Sequence, residues 1–306
     1  MKLSNLKSMI WKSANKLLPK LSRKYRLAQQ QRKLQVVEKI ITDSTDTRCV
    51  DEDVLFHDLQ NRYSGPGPYP YDDFSVFQRG VERSLDILRL TNSLSPGLTF
   101  LEAGCGDGMV SLALSSYGHS VMLADMEDWR DKRAQKLPFT LQNFAKGLPF
   151  SNDFFDVVFS YNSFEHFDKP DHVFNELVRT TRKNGLIFLH FGPLFSSPWG
   201  LHAYRTLLMP YPQFLFSDKF IGQKLNELGI DDLGKKRDNL QPLNRWTVNQ
   251  FEKLWQRDDL EIILSELSQD QGHLNLVVEY PDVFCGRNLT LQDLTTHSIK
   301  VLARKL

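Results

Sequence analysis

The chain has 306 residues, of which 41% are hydrophobic and 25% charged, proportions typical of a soluble globular protein with a sizeable core. No apolar run approaches the roughly 18 residues that span a bilayer, and the N-terminus lacks the apolar stretch of a signal peptide. The three cysteines, Cys49, Cys105 and Cys285, form neither a disulfide framework nor a paired-cysteine zinc motif. We therefore expect a cytoplasmic protein, and the sequence predicts no metal site.

The net charge of +1 conceals a basic N-terminus. Residues 1–40 carry eleven lysines and arginines against one acidic residue, Glu38. Within residues 1–22 the leucines fall near one helical face and most lysines lie off it, which predicts an amphipathic helix in a basic extension over 1–45. Such a helix either contacts an anionic membrane surface, so that the protein is peripheral to the inner membrane, or docks on its own domain. Nucleic acid is not expected as a partner, because the rest of the chain is acidic.

Apolar periodicity predicts the regular elements in chain order. The predicted helices cover 74–90, 173–178 and 247–255, and the predicted strands cover 99–101, 120–124, 155–162, 185–192, 260–264 and 298–303. Strands that alternate with helices predict a largely parallel sheet covered on both faces. The stretch 193–246 interrupts this alternation with five prolines and many aromatic residues, which predicts an inserted lid.

Three glycines set two apart, Gly104, Gly106 and Gly108, join the first predicted strand to a helix. Glycines permit positive φ and leave no Cβ to block a ligand, while the first amides of the helix are unsatisfied donors. This loop therefore predicts a nucleotide-like ligand, and Asp125, which ends the next strand, is placed to bind ribose hydroxyls. The spacing lacks the third glycine of the dinucleotide fingerprint and the lysine of a phosphate-binding P-loop.

Four sequence blocks in order resemble the class I S-adenosylmethionine-dependent methyltransferases of the type 11 group. They are "FLEAGCGDG" from Phe100, Asp125, "LPFSNDFFDVVFSYNSFEHF" from Leu148 and "ELVRTTRKNGLIFLHF" from Glu176. The resemblance implies an α/β fold with a doubly wound, mostly parallel seven-stranded sheet, a Rossmann-like methyltransferase domain over 46–306, and S-adenosylmethionine as cofactor. The N-terminal helical extension and the lid at 193–246 are additions to that domain.

The same resemblance implies the cofactor-binding residues. Where many relatives place an Asp-Ala pair that touches adenine, this chain has Phe144-Ala145, so the adenine contact falls to Asn143 or to the backbone. The implied cofactor residues are Glu102, Gly104, Cys105, Gly106, Gly108, Asp125, Met126, Asn143, Phe144, Asn162 and Ser163.

The acceptor is suggested by the lid alone, which resembles a segment found in a bacterial subset of the group. That likeness implies O-methylation of a saccharide or glycolipid; a lipid or small hydrophobic acceptor and a non-catalytic cofactor-binding scaffold subunit are the alternatives. His202 in the lid is the preferred general base. His166 is the second catalytic candidate, and its alternative role is to cap and orient a helix without taking part in catalysis. The aromatic residues of the lid form either a sugar-stacking wall or the lid's own core. The five in question are Phe195, Trp199, Tyr204, Tyr211 and Phe214.

Overall fold

The computed structural model describes residues 27–67, 70–232 and 235–306. The predicted amphipathic helix at residues 1–22 lies outside these ranges. The described chain forms two compact units, one of residues 27–48 with 274–291 and one of residues 49–273 with 292–306. The boundaries predicted for the extension and for the lid remain predictions.

The second unit is built on a seven-stranded sheet. Its strands are β1 (Thr99–Ala103), β2 (Ser120–Asp125), β3 (Phe139–Leu141), β4 (Phe155–Tyr161), β5 (Thr181–Phe191), β8 (Leu260–Gln269) and β9 (Thr296–Lys305), and β6 (Ile230–Asp232) pairs separately with β7 (Lys235–Arg237). The order in the large sheet is β3-β2-β1-β4-β5-β9-β8. All neighbouring strands from β3 to β5 are parallel, and β9 is antiparallel to both β5 and β8. The predicted doubly wound, mostly parallel seven-stranded sheet is therefore confirmed.

Helices lie between these strands and in the connections. The helix over residues 27–41 is α1. The others are α2 (Asp53–Arg62), α3 (Asp73–Leu90), α4 (Met109–Ser116), α5 (Pro170–Thr180), α6 (Pro212–Leu215), α7 (Asp218–Leu228), α8 (Val248–Trp255), α9 (Asn275–Glu279), α10 (Pro281–Phe284) and α11 (Leu291–Thr295), with single 3₁₀ turns at Phe144–Lys146 and Phe164–His166. None of the helices in the described ranges combines the length and apolar character that crossing a bilayer requires.

The central strands are apolar on both faces because both faces are covered. Phe100 and Val157 belong to one buried cluster, whereas the next residues along the same strands, Leu101 and Val158, belong to another. Successive side chains of a strand point to opposite faces, so the two clusters are the two layers of core that flank the sheet. This arrangement brings the carboxyl ends of β1, β2, β4 and β5 to one edge, where open α/β sheets bind ligands.

Helix α3 approaches α4 closely beside that edge. A Cβ added to Gly80 of α3 would lie 2.7 Å from the Cβ of Met109, the first residue of α4. Only glycine leaves room for this contact. The contact therefore places α3 next to the glycine loop, which immediately precedes Met109.

Backbone hydrogen bonds join the two segments of the first unit. The Arg48 amide donates to the Asp282 carbonyl at 2.9 Å, and the Gly286 amide donates to the Asp43 carbonyl at 2.8 Å. The Thr47 hydroxyl adds a bond to the Cys285 carbonyl at 2.6 Å. Segments far apart in the sequence thus form one unit.

Candidate active site

The glycine loop between β1 and α4 adopts the left-handed conformation at each of its three glycines. The φ angles are +75° at Gly104, +52° at Gly106 and +71° at Gly108. A Cβ at Gly104 would lie 2.5 Å from the Cβ of Ser163, whereas one at Gly106 would meet no atom of the described residues within 4 Å. Gly104 is thus required by packing within the protein. Gly106 instead faces open space in which a ligand could approach the backbone.

Asp125 connects this loop to the end of β2. Its carboxylate accepts hydrogen bonds from the Gly106 amide at 2.8 Å and from the Met126 amide at 2.7 Å. Burial raises the pKa of Asp125, and these backbone bonds oppose that shift. Since a carboxylate offers about four lone-pair sites, Asp125 retains acceptor capacity for hydroxyl groups of a ligand. The arrangement fits the ribose-binding role that the sequence predicts.

Glu102 lies beneath the loop. Its side chain is 2% exposed and accepts hydrogen bonds from the Ser111 hydroxyl at 2.6 Å and the Ser111 amide at 3.3 Å. Burial raises the pKa of Glu102 to about 8. Cys105 is buried as well, and burial raises the pKa of its thiol. Glu102 therefore fixes the first turn of α4, and the cofactor contacts of both residues stay predictions.

The predicted adenine side lies beyond β3. The Asn143 side chain accepts from the Ala145 amide at 3.0 Å and so begins the 3₁₀ turn at Phe144–Lys146. Phe144 is 3% exposed, and its ring centroid lies 4.6 Å from that of Phe167. Met126 is exposed. Phe144 therefore packs in the core, and the cofactor contacts predicted for Met126, Asn143 and Phe144 remain predictions.

The end of β4 meets both the glycine loop and β5. The Ser163 hydroxyl donates to the Gly104 carbonyl at 2.8 Å, and the amide of Asn162, a residue with φ of +50°, donates to the His190 carbonyl at 2.8 Å. The exposed Asn162 side chain is also at the margin of a cavity of about 530 Å³. The cavity is lined by Arg79, Glu82, Arg83, Leu85, Asp86, Arg89, Tyr161, Asn162 and His190.

His166 and His202, the two catalytic candidates, lie side by side. Their ring centroids are 4.9 Å apart at an interplanar angle of 85°. The Nδ1–H of His166 donates to the Pro242 carbonyl at 2.8 Å, and the Nε2–H of His202 donates to the Pro193 carbonyl at 2.7 Å, since a carbonyl only accepts.

Burial lowers the pKa of His202 to about 3, and the neighbouring His166 adds to this effect. A general base works best when its pKa is near the ambient pH. His202 is therefore neutral at physiological pH, but its free ring nitrogen is weakly basic.

His190 has a different environment. Its Nδ1 is 2.8 Å from the Tyr161 hydroxyl, and burial lowers its pKa to about 4. The ring therefore contributes a hydrogen bond to the cavity wall in its neutral form.

The aromatic residues of the segment 193–246 mostly form a core within the second unit. Trp199, Tyr211 and Phe214 are at most 7% exposed, and the Tyr211 hydroxyl donates to the Leu294 carbonyl at 2.9 Å. Phe195 and Tyr204 are partly exposed. Of the two predicted alternatives, the structure therefore favours a core over a wall of exposed rings.

Comparison with known proteins agrees with this geometry. Residues 101–189 match the family model described as a methyltransferase domain. A malonyl-[acyl-carrier protein] O-methyltransferase of Buchnera aphidicola is 25% identical over 172 residues, which are 54% of this chain and 65% of that protein. An uncharacterized methyltransferase of Mycobacterium tuberculosis is 29% identical over 130 residues, which are 39% of this chain and 51% of that protein. The matches thus span between half and two thirds of these relatives.

Among solved structures, one of a putative S-adenosylmethionine-dependent methyltransferase from Listeria monocytogenes matches with a TM-score of 0.47 and 13% identity. It covers 75% of this chain and 99% of that one.

The sheet order and the glycine loop define a class I methyltransferase domain, whose cofactor is S-adenosylmethionine. The family match assigns the segment 101–189 to the type 11 group of these domains. The predicted class of enzyme and its cofactor are thereby confirmed, whereas the residue assignments remain predictions.

Sequence reasoning missed two features of this edge. Arg79 and Arg83 line the cavity. Burial raises the pKa of Asp107 in the glycine loop, and the charges of the two arginines partly offset this rise. Their spacing of four residues on the predicted helix over 74–90 was a usable signal, because it places both on one face. The meeting of His166 with His202 had no such signal, since it depends on how the segment 193–246 folds back.

Proposed function

We propose that the protein transfers the methyl group of S-adenosylmethionine to an oxygen atom of a saccharide or glycolipid. The observation that carries this proposal is the polar cavity beside Asn162 at the ends of β4 and β5. Its walls supply both hydrogen-bond donors, from Arg79 and Arg83, and acceptors, from Glu82 and Asp86. Paired donors and acceptors suit a ligand with many hydroxyl groups, whereas an apolar acceptor requires mostly apolar walls.

The residues of the glycine loop fit the proposed cofactor. When bound, S-adenosylmethionine supplies an electrophilic methyl group: the acceptor oxygen bonds to the methyl carbon, the carbon–sulfur bond breaks with its electron pair left on sulfur, and the acceptor proton passes to solvent. Asp125 would accept hydrogen bonds from the ribose hydroxyls, and the open face at Gly106 would admit the cofactor to the backbone. Ser163 fixes the loop against β4 through Gly104.

This reaction requires orientation more than activation of the methyl donor. Holding two reactants in line contributes about 7–11 kcal/mol to lowering a barrier. The cavity shares Asn162 with the predicted cofactor-binding residues, so an acceptor in the cavity would lie beside the bound cofactor. The Buchnera relative, named as an O-methyltransferase, supports oxygen as the acceptor atom.

The test is transfer of labelled methyl groups to cell material of the source organism. Purified protein and labelled S-adenosylmethionine are incubated with separated polysaccharide, glycolipid, lipid and protein fractions, with Gly106→Arg as the variant that cannot bind cofactor. We expect label in the polysaccharide or glycolipid fraction that resists mild alkali, because a methyl ether is stable where a methyl ester releases methanol.

Other outcomes contradict the proposal in distinguishable ways. Alkali-labile label indicates a carboxylate acceptor, and label in the free lipid fraction indicates a hydrophobic one. Binding of S-adenosylhomocysteine without label in any fraction indicates a non-catalytic scaffold subunit.

A further inference from the structure

Three potential metal ligands converge at the carboxyl ends of β4 and β5. Glu165 and His166 belong to the 3₁₀ turn that follows β4, and His202 comes from the segment after β5. One ligand atom from each of the three lies within 4.8 Å of the others, and the distance from His166 Nε2 to Glu165 Oε1 is 3.9 Å. Among the residues that the structure describes, this is the one such group.

The hydrogen bonds of both histidines leave one nitrogen of each ring available to bind a metal ion. Because His166 donates through Nδ1 to Pro242, its lone pair is on Nε2; because His202 donates through Nε2 to Pro193, its lone pair is on Nδ1. Histidines that bind metals characteristically donate their other N–H to a carbonyl or carboxylate, which fixes the tautomer and the ring orientation. Both rings here meet that condition through backbone carbonyls.

Glu165 supplies the second, independent observation. Its side chain is 3% exposed, and its Oε1 accepts a hydrogen bond from the Gly192 amide at 3.2 Å. Its other oxygen, Oε2, is buried and has no hydrogen-bond partner. Leaving a buried carboxylate oxygen unpaired costs free energy, so such an oxygen calls for an explanation.

We propose that Glu165, His166 and His202 bind one divalent first-row transition metal ion such as Zn²⁺. Two imidazoles and a carboxylate are a recurring ligand set for zinc and for non-haem iron(II), and they leave coordination positions open. Around one such ion, with bonds of about 2.0–2.2 Å, the ligand atoms must lie roughly 3–3.5 Å apart, so binding draws them together by about 1 Å. The His166 side chain is 17% exposed, which gives the site contact with solvent.

The three ligands lie after the ends of β4 and β5, at the edge where open α/β sheets bind their ligands. One carboxylate and two neutral imidazoles leave the bound divalent ion with a net charge of +1, which favours a partly anionic oxygen ligand. The metal-binding claim itself requires no acceptor and is tested without one.

The experiment is a titration of the full-length, tag-free, chelator-treated protein with Zn²⁺ by calorimetry and with Co²⁺ by visible absorption. We expect one ion per chain, ligand-field bands with Co²⁺, and a rise in melting temperature with excess Zn²⁺. Mg²⁺ and Ca²⁺, which prefer oxygen ligands, should not compete. Glu165→Gln and His166→Gln should each weaken Zn²⁺ binding at least about 10-fold.

His273→Gln is the matched control, because His273 lies 3.6 Å from Asp270 in a histidine–carboxylate pair outside the proposed site. It should bind Zn²⁺ as the wild type does. Melting curves of the metal-free variants show whether each is folded, and using two site variants guards against one that is not. The proposal is overturned if the wild-type chain binds no stoichiometric ion, or if both folded site variants bind it undiminished. Either result leaves cofactor binding and labelled methyl transfer untouched as separate tests of the proposed function.

Discussion

Replacing Gly106 by alanine should weaken cofactor binding more than 10-fold while leaving the domain folded. Gly106 has φ of +52°, and the added Cβ would meet nothing within 4 Å among the described residues. The cost to folding is therefore the backbone strain alone, about 1–2 kcal/mol for an L-residue in the left-handed region. For a domain of this size that free energy corresponds to a fall in melting temperature of roughly 2–8 °C.

The effect on binding should be much larger than the effect on folding. The Cβ would occupy the open space in which we place the cofactor, so we expect the affinity for S-adenosylhomocysteine to fall more than 10-fold. Isothermal titration calorimetry measures the affinity, and differential scanning calorimetry measures the melting temperature. Both use the same protein preparations.

Substitutions at two further glycines distinguish the effect of backbone strain from exclusion of the cofactor by the added Cβ. Gly97, in the turn before β1, has φ of +99° and open space around its Cβ position, so Gly97→Ala should lower stability without reducing affinity. Gly104→Ala adds a clash with the Ser163 Cβ at 2.5 Å and should destabilise the domain more than either. If Gly106→Ala binds S-adenosylhomocysteine as tightly as Gly97→Ala does, the cofactor does not pass over Gly106 and our placement is refuted.

Three other predictions concern charge. Burial holds the pKa of Glu102 at about 8, so the folded chain keeps a proton that the unfolded chain releases above about pH 4.5. Between pH 4.5 and pH 8 the free energy of unfolding should therefore fall by about 1.4 kcal/mol per pH unit. Urea unfolding of Glu102→Gln at several pH values should lack this dependence on pH. With a pKa of about 4, His190 should stay neutral at pH 5.5, and an imidazolium ¹⁵N signal from its ring at that pH would contradict the assignment. We propose that residues 1–22 contact anionic membranes, so the full chain should co-sediment with phosphatidylglycerol vesicles at low salt; equal recovery in the supernatant without and with vesicles refutes this contact.

The central strands could be predicted because their signal is local. Strands β1, β2 and β4 are mostly apolar runs, and the structure places their ends within two residues of prediction. Strand β8 was predicted only over 260–264 but extends to Gln269. It lies at the edge of the sheet, and most of its later residues are exposed. Hydrogen-bonded pairing with β9, and not burial of an apolar face, therefore holds these residues in the strand. The three-residue strand β3 is too short and too exposed to give a pattern.

The candidate site likewise has a part with a local sequence signal and a part without one. The glycine loop and Asp125 are neighbours of strand ends, so their proximity follows from the order of the strands. The contact of His166 with His202 depends on the carbonyls of Pro193 and Pro242, which reach the rings only once the segment 193–246 has folded. No spacing in the sequence encodes that arrangement, and for this reason the sequence predicted no metal site.

The two halves of the site should therefore be separable by mutation. The glycine loop acts through backbone geometry and Asp125, whereas the proposed metal site acts through side chains brought together by the folded segment 193–246. They are linked structurally through Ser163, which bonds to the Gly104 carbonyl and stands two residues before Glu165. If this link transmits no strain, Gly106→Ala should lose S-adenosylhomocysteine binding and keep Zn²⁺ binding, while Glu165→Gln should do the reverse. Loss of both ligands in each folded variant would instead show that the turn after β4 and the glycine loop form one cooperative site, in which an ion and the cofactor stabilise each other.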